Sequence, residues 1–295
     1  MSRLLNLIAG PLLARELVFP EVDLSVPAGE PGLVGPGSVS WRVFSNPVSL
    51  TIGGVAAVLL ELGEPKVRAG VWDHSSFRRA PRERMRRTGL GAMITVFGPV
   101  SLVRSYTARV NAIHAQVAGV TDAGETYRAD EPELLRWVQA TAAFGFVEAY
   151  GAYVQPLNAG ERDAFYAEAV AGARCYGVER PPASEAECVA LLEAMAPRLE
   201  PSAVLDEFIY IMRTGAILPW SARPLQPMIV RAAIDLLPSA IRSRLGLELR
   251  LSGAERLVLR AAARLAGRVE VPEAPWAQAT RRLSRPAAGG APRRS

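Results

Sequence analysis

Gly98-Pro99 breaks an otherwise continuous helical pattern, and this break constrains the fold more than any other feature of the 295-residue chain. Proline has no N–H to donate, and its ring collides with the preceding turn, so a helix does not run straight through it. The stretch from Arg84 to Gly119, RMRRTGLGAMITVFGPVSLVRSYTARVNAIHAQVAG, therefore reads as two helices joined at a reversal. The same punctuation recurs along the chain. Asn46 and Pro47 supply an N-cap and a first helical residue for an apolar helix that Glu64-Pro65 ends. Lys66 to Phe77 reads as a short helix running to a turn, and Thr121 to Arg128 as a polar turn. A long helix follows from about Glu131 to Val154, and another begins at Asn158 or Ala159. Ser184 with Glu187 has the spacing of a capping box for the helix ending near Pro197. Further helices are expected from Ser202, over Leu225–Leu237 and Pro238–Leu245, and over Gly253–Gly267.

Alternating β-branched runs bounded by tight turns are almost missing, so the expected class is all-α, a single globular multi-helix bundle. The expected organisation is an N-terminal apolar segment and Pro/Gly linker over residues 1–36, the helical domain over 37–270, and a disordered basic tail over 271–295. From about Ala274 that tail is rich in Pro, Ala, Gly and Arg. Hydrophobic residues make up 49% of the chain, enough for a sizeable core.

The net charge of +5 does not point to nucleic acid, because Lys66 is the only lysine and no aromatic residues interleave a basic run. Arg78, Arg79, Arg82, Arg86 and Arg87 read as a solvated basic face, with propionates or anionic lipid as the alternative partner. Cys175 and Cys188 fit neither a disulfide framework nor a zinc motif, so a reducing cytoplasm is the expected compartment. The N-terminal MSRLLNLIAGPLLARELVF is broken by Pro11 and followed by charge, which reads as an amphipathic docking segment rather than a cleaved signal. Pro47 to Leu62 is too interrupted by Gly53-Gly54 and Glu61 for a membrane span; association with a membrane surface stays open.

Several chemistries are excluded by what the chain lacks. It has two histidines, His74 and His114, and neither a Glu-x-x-His pair for a di-iron bundle nor a His-Glu-x-x-His zinc helix. There is no Gly-x-Gly-x-x-Gly after a strand, no Walker loop and no Gly-x-Ser-x-Gly elbow. One axial histidine is enough for haem. At about 100° per residue, Val103, Val110, His114 and Val117 fall on one arc with Tyr106 at its border. His114 is therefore either a core imidazole bonded to a carbonyl or a ligand. Arg84, Thr88, Gly91 and Thr95 share a face of the preceding helix. That stripe offers donors and room for a flat group, or it packs helix on helix. His74, in Trp72-Asp73-His74-Ser75-Ser76-Phe77, is expected to close a turn, and Glu148 and Tyr150 are weaker candidates.

In chain order, the motifs Ser-Trp-Arg-Val-x-x-Asn-Pro-Val-Ser-Leu, Asp-His-Ser-Ser-Phe-Arg-Arg, Arg-Arg-Thr with Val-Phe-Gly, His-Ala-Gln-Val-x-Gly and Trp-Val-Gln-Ala-Thr resemble the MpaB and rubber-oxygenase family, which includes the latex-clearing proteins. The likeness spans roughly Gly37 to Leu245. It implies a globin-like all-α arrangement around haem b and oxidative cleavage of carbon–carbon double bonds in isoprenoid substrates. By the same resemblance His114 corresponds to the proximal haem ligand, through Nε2 to iron. Arg84 and Thr88 correspond to polar residues on the dioxygen side, where they act on the reaction and help hold the cofactor. The chain departs from the family at Glu64 and Gln139, where relatives often carry histidine, and at Ala118, where they often carry arginine. The reading is a haem-dependent oxygenase of an apolar, isoprenoid-like substrate. The alternatives are a non-catalytic helical module that binds lipid or a partner, and a haem protein without oxygenase activity.

Overall fold

A computed structural model describes Gly10, Pro11, Leu13, Ala14 and residues 17–286. Its elements among the described residues include thirteen α-helices, two short 3-10 turns (Ala196–Arg198 and Arg223–Leu225) and one small hairpin. Helix α1 (Val39–Val43) leads into α2 (Pro47–Gly63), which starts where the sequence predicts: Asn46 Oδ1 accepts the Val48 and Ser49 N–H groups, and Pro47 opens the helix. At Glu64 the chain turns by 111° into α3 (Pro65–His74). Glu64 is buried; one oxygen caps α3 by accepting Val67 N–H and the other pairs with Arg198. At this departure from the family pattern, the acid has a structural task.

Helices α4 (Pro81–Phe97) and α5 (Val100–His114) form the expected pair about Gly98-Pro99. The polar turn predicted over Thr121–Arg128 is instead part of an antiparallel hairpin, β1 (Ala118–Val120) with β2 (Thr126–Arg128), in the register Gly119 opposite Tyr127. Gly124 turns it at φ +83°, a conformation natural to glycine. Two paired strands of three residues each are too short to carry the alternation by which strands are read.

The long α6 (Pro132–Tyr153) lies against α2 at the centre of the molecule. Their backbones meet at two glycines: a Cβ on Gly53 would sit 2.6 Å from the Gly145 carbonyl oxygen. That approach lets Ile52, Val55, Ala56, Leu59 and Leu60 of α2 and Trp137, Ala140 and Val147 of α6 share one core. Around the pair stand α7 (Ala159–Cys175), α8 (Glu185–Met195), α9 (Ala203–Thr214), α10 (Gln226–Leu236), α11 (Ser239–Arg244) and α12 (Gly253–Ala266). Glu168 of α7 accepts Val39 N–H, Ser40 N–H and Ser40 O–H, neutralising the free donors at the start of α1. At α8, Ser184 Oγ accepts Glu187 N–H, while the Glu187 carboxylate takes Ala183 N–H, so only half of the expected capping box forms.

The disordered tail expected over 271–295 is corrected for most of its first half. Pro275–Ser284 forms a helix, α13. Arg282 on it is fully buried; its Nε donates to Glu30 O at 2.8 Å and its Nη1 to Leu24 O. Gln278 Oε1 accepts Leu24 N–H at 2.7 Å, and Trp276 packs on Phe97. These bonds pin the Pro/Gly-rich linker to the C-terminal helix. A basic, Ala-rich composition hid the pattern because the key buried residue is itself an arginine. Residues 287–295 lie outside the described ones, as do most of residues 1–16; of the proposed docking segment, Leu13, Ala14, Leu17 and Val18 pack on Val269, Val271 and Ala274. Among the described residues, no single helix is long and apolar enough to cross a membrane.

Candidate functional site

Arg84 and His114 stand at the same end of the α4–α5 pair. Arg84 precedes Gly98 by about 21 Å of helix and His114 follows it by about 24 Å, at 1.5 Å per residue. The antiparallel pairing thus brings together residues that are 30 positions apart in sequence.

His114 is the last residue of α5 and is half-buried. Its Nδ1 is buried with no hydrogen-bond partner. The core-histidine alternative, an imidazole bonded to a backbone carbonyl through this nitrogen, is therefore not what the fold builds. Burial first, and the Arg84 guanidinium second, push its pKa down from 6.5; Asp130 beyond the hairpin acts weakly in the other direction. The ring is neutral at pH 7 and retains a lone pair, the form in which imidazole binds a metal. An unpaired buried polar atom costs stability, and Nδ1 shares that state with five other buried side-chain nitrogens or oxygens among the described residues, so it does not by itself name a ligand.

The α4 stripe divides in two. Gly91 and Thr95 are packing residues: a Cβ on Gly91 would come 3.0 Å from the Tyr106 hydroxyl, and Thr95 Oγ1 lies 3.1 Å from the Tyr176 hydroxyl. Arg84 and Thr88 are different. Thr88 is exposed and Arg84 half-buried, with Arg84 Nη1 donating to Thr88 Oγ1 and Thr88 Oγ1 donating at 3.1 Å to Arg84 O. Burial lowers the Arg84 pKa, and nearby Glu61 opposes that shift.

Glu61 is the residue that sequence reasoning left out. It is the single charged residue of the 17-residue α2, and α2 carries it to the same region as Arg84. Burial pushes its carboxyl up to about 7, against the lowering pull of Arg84 and a weak hydrogen bond from Thr141 Oγ1 at 3.4 Å. The available signal was the lone acid near the end of an apolar helix, which had served only to argue against a membrane span. Tyr106 completes the cluster from α5: burial raises its pKa, and Arg109 sits 6.0 Å from its ring centroid.

The remaining candidates lie elsewhere. His74 ends α3 on the surface, and the turn after it is closed by Ser75 Oγ accepting Phe77 N–H. Glu148 pairs with Arg162, and Tyr150 is core. Of the basic cluster, Arg78 pairs with Glu207, Arg86 with Glu21, and Arg87 donates to Ser76. A recess of about 580 Å³ lined by Val18, Pro20, Arg86, Val271 and Pro272 opens on the outer side of α4. Arg86 is about 200° around the helix from Arg84, so this recess is not part of the cluster.

Among the described residues, no group of three or more His, Cys, Asp or Glu could hold a bare metal ion. A site with one imidazole suits a metal whose other ligands come with it, and haem supplies four ring nitrogens. The donor set, one half-buried neutral imidazole near a guanidinium, fits that group, with Nε2 as the nitrogen that would ligate.

Glu61 offers a pH test of this geometry. Its folded pKa near 7 lies above the unfolded value of 4.5, so the folded state binds more protons between those limits. The associated stability is fully present below 4.5 and is lost as pH rises through 7. Glu61→Gln stays neutral and should abolish that loss, gaining about 1–2 kcal/mol over the wild type at about pH 8 but not at about pH 5 once residual solvent contact is discounted. Urea unfolding at the two pH values measures it; equal effects at both would place the carboxyl in water.

The architecture is that of a mostly helical protein in which a half-buried imidazole, a guanidinium and a carboxyl of raised pKa stand in one region. The sequence matches the family described as ER-bound oxygenase mpaB/B'/Rubber oxygenase, catalytic domain, over residues 41–268, and the chain belongs to that family. Comparison with curated proteins and with solved structures returned no match.

Proposed function

We propose that this chain is a haem b-dependent oxygenase that cleaves a carbon–carbon double bond of an apolar, isoprenoid-like substrate. Membership of a family of oxygenase catalytic domains supports the reaction class. The observation that carries the cofactor assignment is the place of His114, a half-buried imidazole held neutral by burial and set near the Arg84 guanidinium at one end of the α4–α5 pair. His114 would hold the haem, in the globin-like manner that the family resemblance implies, and Arg84 and Thr88 would lie on its polar side. Bound haem supplies the binding and activation of dioxygen.

The chain's own residues then have separable tasks. Arg84 presents N–H donors where negative charge develops, and a fixed donor in a poorly solvated site stabilises such charge without reorganising. Thr88 holds the guanidinium by accepting from Nη1. Glu61, poised near 7, can hold or release a proton at a carboxylate oxygen beside the Arg84 guanidinium. The half-buried Val110, beside His114 on its arc of α5, and Val117, just past the helix end where its N–H donates to His114 O, offer an apolar wall to the substrate. Both cysteines are free thiols, in keeping with a cytoplasmic location.

Haem-loaded protein incubated with a short polyisoprene and dioxygen should yield carbonyl-ended fragments, with both atoms of labelled oxygen recovered in the new carbonyls. Haem binding with no oxygen-dependent cleavage of such alkenes would favour the haem protein without oxygenase activity.

A further inference from the structure

Helix α12 is amphipathic in an unusual sense: its outward face is apolar and basic at once. Its inner side is fully engaged. Leu259 and Ala263 are buried, and Ala263 O accepts from Asn46 Nδ2 at 2.9 Å. The flanking charges are satisfied within the fold: Glu255 pairs with Arg231, Arg256 pairs with Asp235 at 3.0 Å, and Arg260 Nε donates to Ala152 O at 2.9 Å.

The opposite side carries none of these ties. Leu257, Val258 and Leu265 are 66%, 44% and 48% exposed, although aliphatic side chains of this size gain by leaving water. At about 100° per residue, Arg264, Leu257, Ala261, Ala254, Leu265 and Val258 span an arc of roughly 120°. No acidic residue of α12 falls on that arc, and Arg264 makes no ion pair or hydrogen bond among the described residues. The exposed Arg268 follows just beyond the helix end, likewise unpaired among the described residues.

We propose that this face of α12 docks on an anionic lipid bilayer, its leucines entering the headgroup boundary and Arg264 and Arg268 meeting lipid phosphates. Charge complementarity selects the occupant. A symmetric contact with a second copy would set the same arginines against each other, because a two-fold interface pairs a surface with itself. A bilayer with negative headgroups satisfies the leucines and the arginines together, and a helix lying in that plane uses this mixture of residues. The inner side of α12 meets the start of α2 at Asn46, so the docking face points away from α2, and Glu61 is 15 residues further along that helix. Docking therefore leaves the His114–Arg84 end uncovered.

The test is flotation of the full chain with vesicles of phosphatidylcholine alone and with about one-third phosphatidylglycerol. The chain should float with the anionic vesicles, bind the neutral ones far less, and detach as salt is raised. Arg264→Gln with Arg268→Gln, and separately Leu257→Ser with Leu265→Ser, should each weaken anionic-vesicle binding on the order of tenfold. Unchanged circular dichroism would show the variants folded. Equal binding to both vesicle types, absence of vesicle binding, or wild-type binding by both variants would overturn the assignment. So would a concentration-dependent dimer that the leucine variant dissolves, which would give the face to a second copy. Haem binding should be untouched in every variant, so failure here is distinguishable from failure of the oxygenase reading.

Discussion

His114→Ala, produced with ample haem, is expected to show no Soret band and no stoichiometric haem while keeping its helical circular dichroism. The expectation rests on what the mutation removes. The imidazole is half-buried at the last turn of α5, so its loss leaves a small cavity and costs on the order of 1–2 kcal/mol, less than a fully buried large-to-small change. It also deletes an unpartnered buried nitrogen, whose burial is itself unfavourable, so part of that cost is offset. A bundle whose core is centred on α2 and α6 should survive this. The cofactor should not, because the one other histidine, His74, lies exposed at the end of α3, and no group of three metal-ligating side chains lies among the described residues to replace the ligand. His74→Ala is the control: that ring is exposed at the end of α3 and its removal should leave haem content unchanged. Haem lost from the control alone would move the ligand to the α3 end and break the link between the α4–α5 pair and the cofactor. A normal Soret band in both variants would exclude histidine ligation.

The helices were largely readable because their ends are written in residues with one structural use. Asn46-Pro47, Gly98-Pro99, Asn158 and Ser252 mark helix starts or breaks through hydrogen bonds that each side chain makes or a proline prevents. What the sequence could not show was what distant residues do to one another. The Arg84–Gly91–Thr95 stripe looks uniform on a helical wheel. Only the positions of Tyr106 and Tyr176, on two other helices, divide it into a packing half and a polar half. Glu61 looked like a charge ending an apolar run, and its raised pKa arises from burial that α2 meets only in the folded bundle. Glu64 could have been a functional substitute for histidine; its two oxygens are instead spent on Val67 N–H and Arg198. Arg282 shows the same limit from the other side. A side chain that composition assigns to solvent is fully buried because the carbonyls of Leu24 and Glu30 lie within its reach.

Arg84→Ala is expected to leave haem content near that of the wild type and to lower kcat for oxygen-dependent alkene cleavage on the order of 100-fold, the usual cost of deleting one fixed donor at developing charge. Thr88→Val should cost less, roughly tenfold in kcat, because Thr88 acts through Arg84: its Oγ1 accepts from Nη1 and donates back to the Arg84 carbonyl. KM should change little in either variant, since neither side chain forms the apolar wall. A second readout separates charge stabilisation from packing. Arg84 lowers the pKa of Glu61 and of His114 through space, so its removal lets both rise. The pH at which activity climbs with Glu61 ionisation should therefore shift to higher pH in Arg84→Ala. Arg84→Lys, which keeps the charge but loses the fork, should restore the pH profile more fully than the rate. Haem loss in Arg84→Ala would make the guanidinium a cofactor anchor. An unchanged rate with an unchanged pH profile would reduce Arg84 and Thr88 to surface packing of α4, and the polar end of the helix pair would then have no part in the reaction.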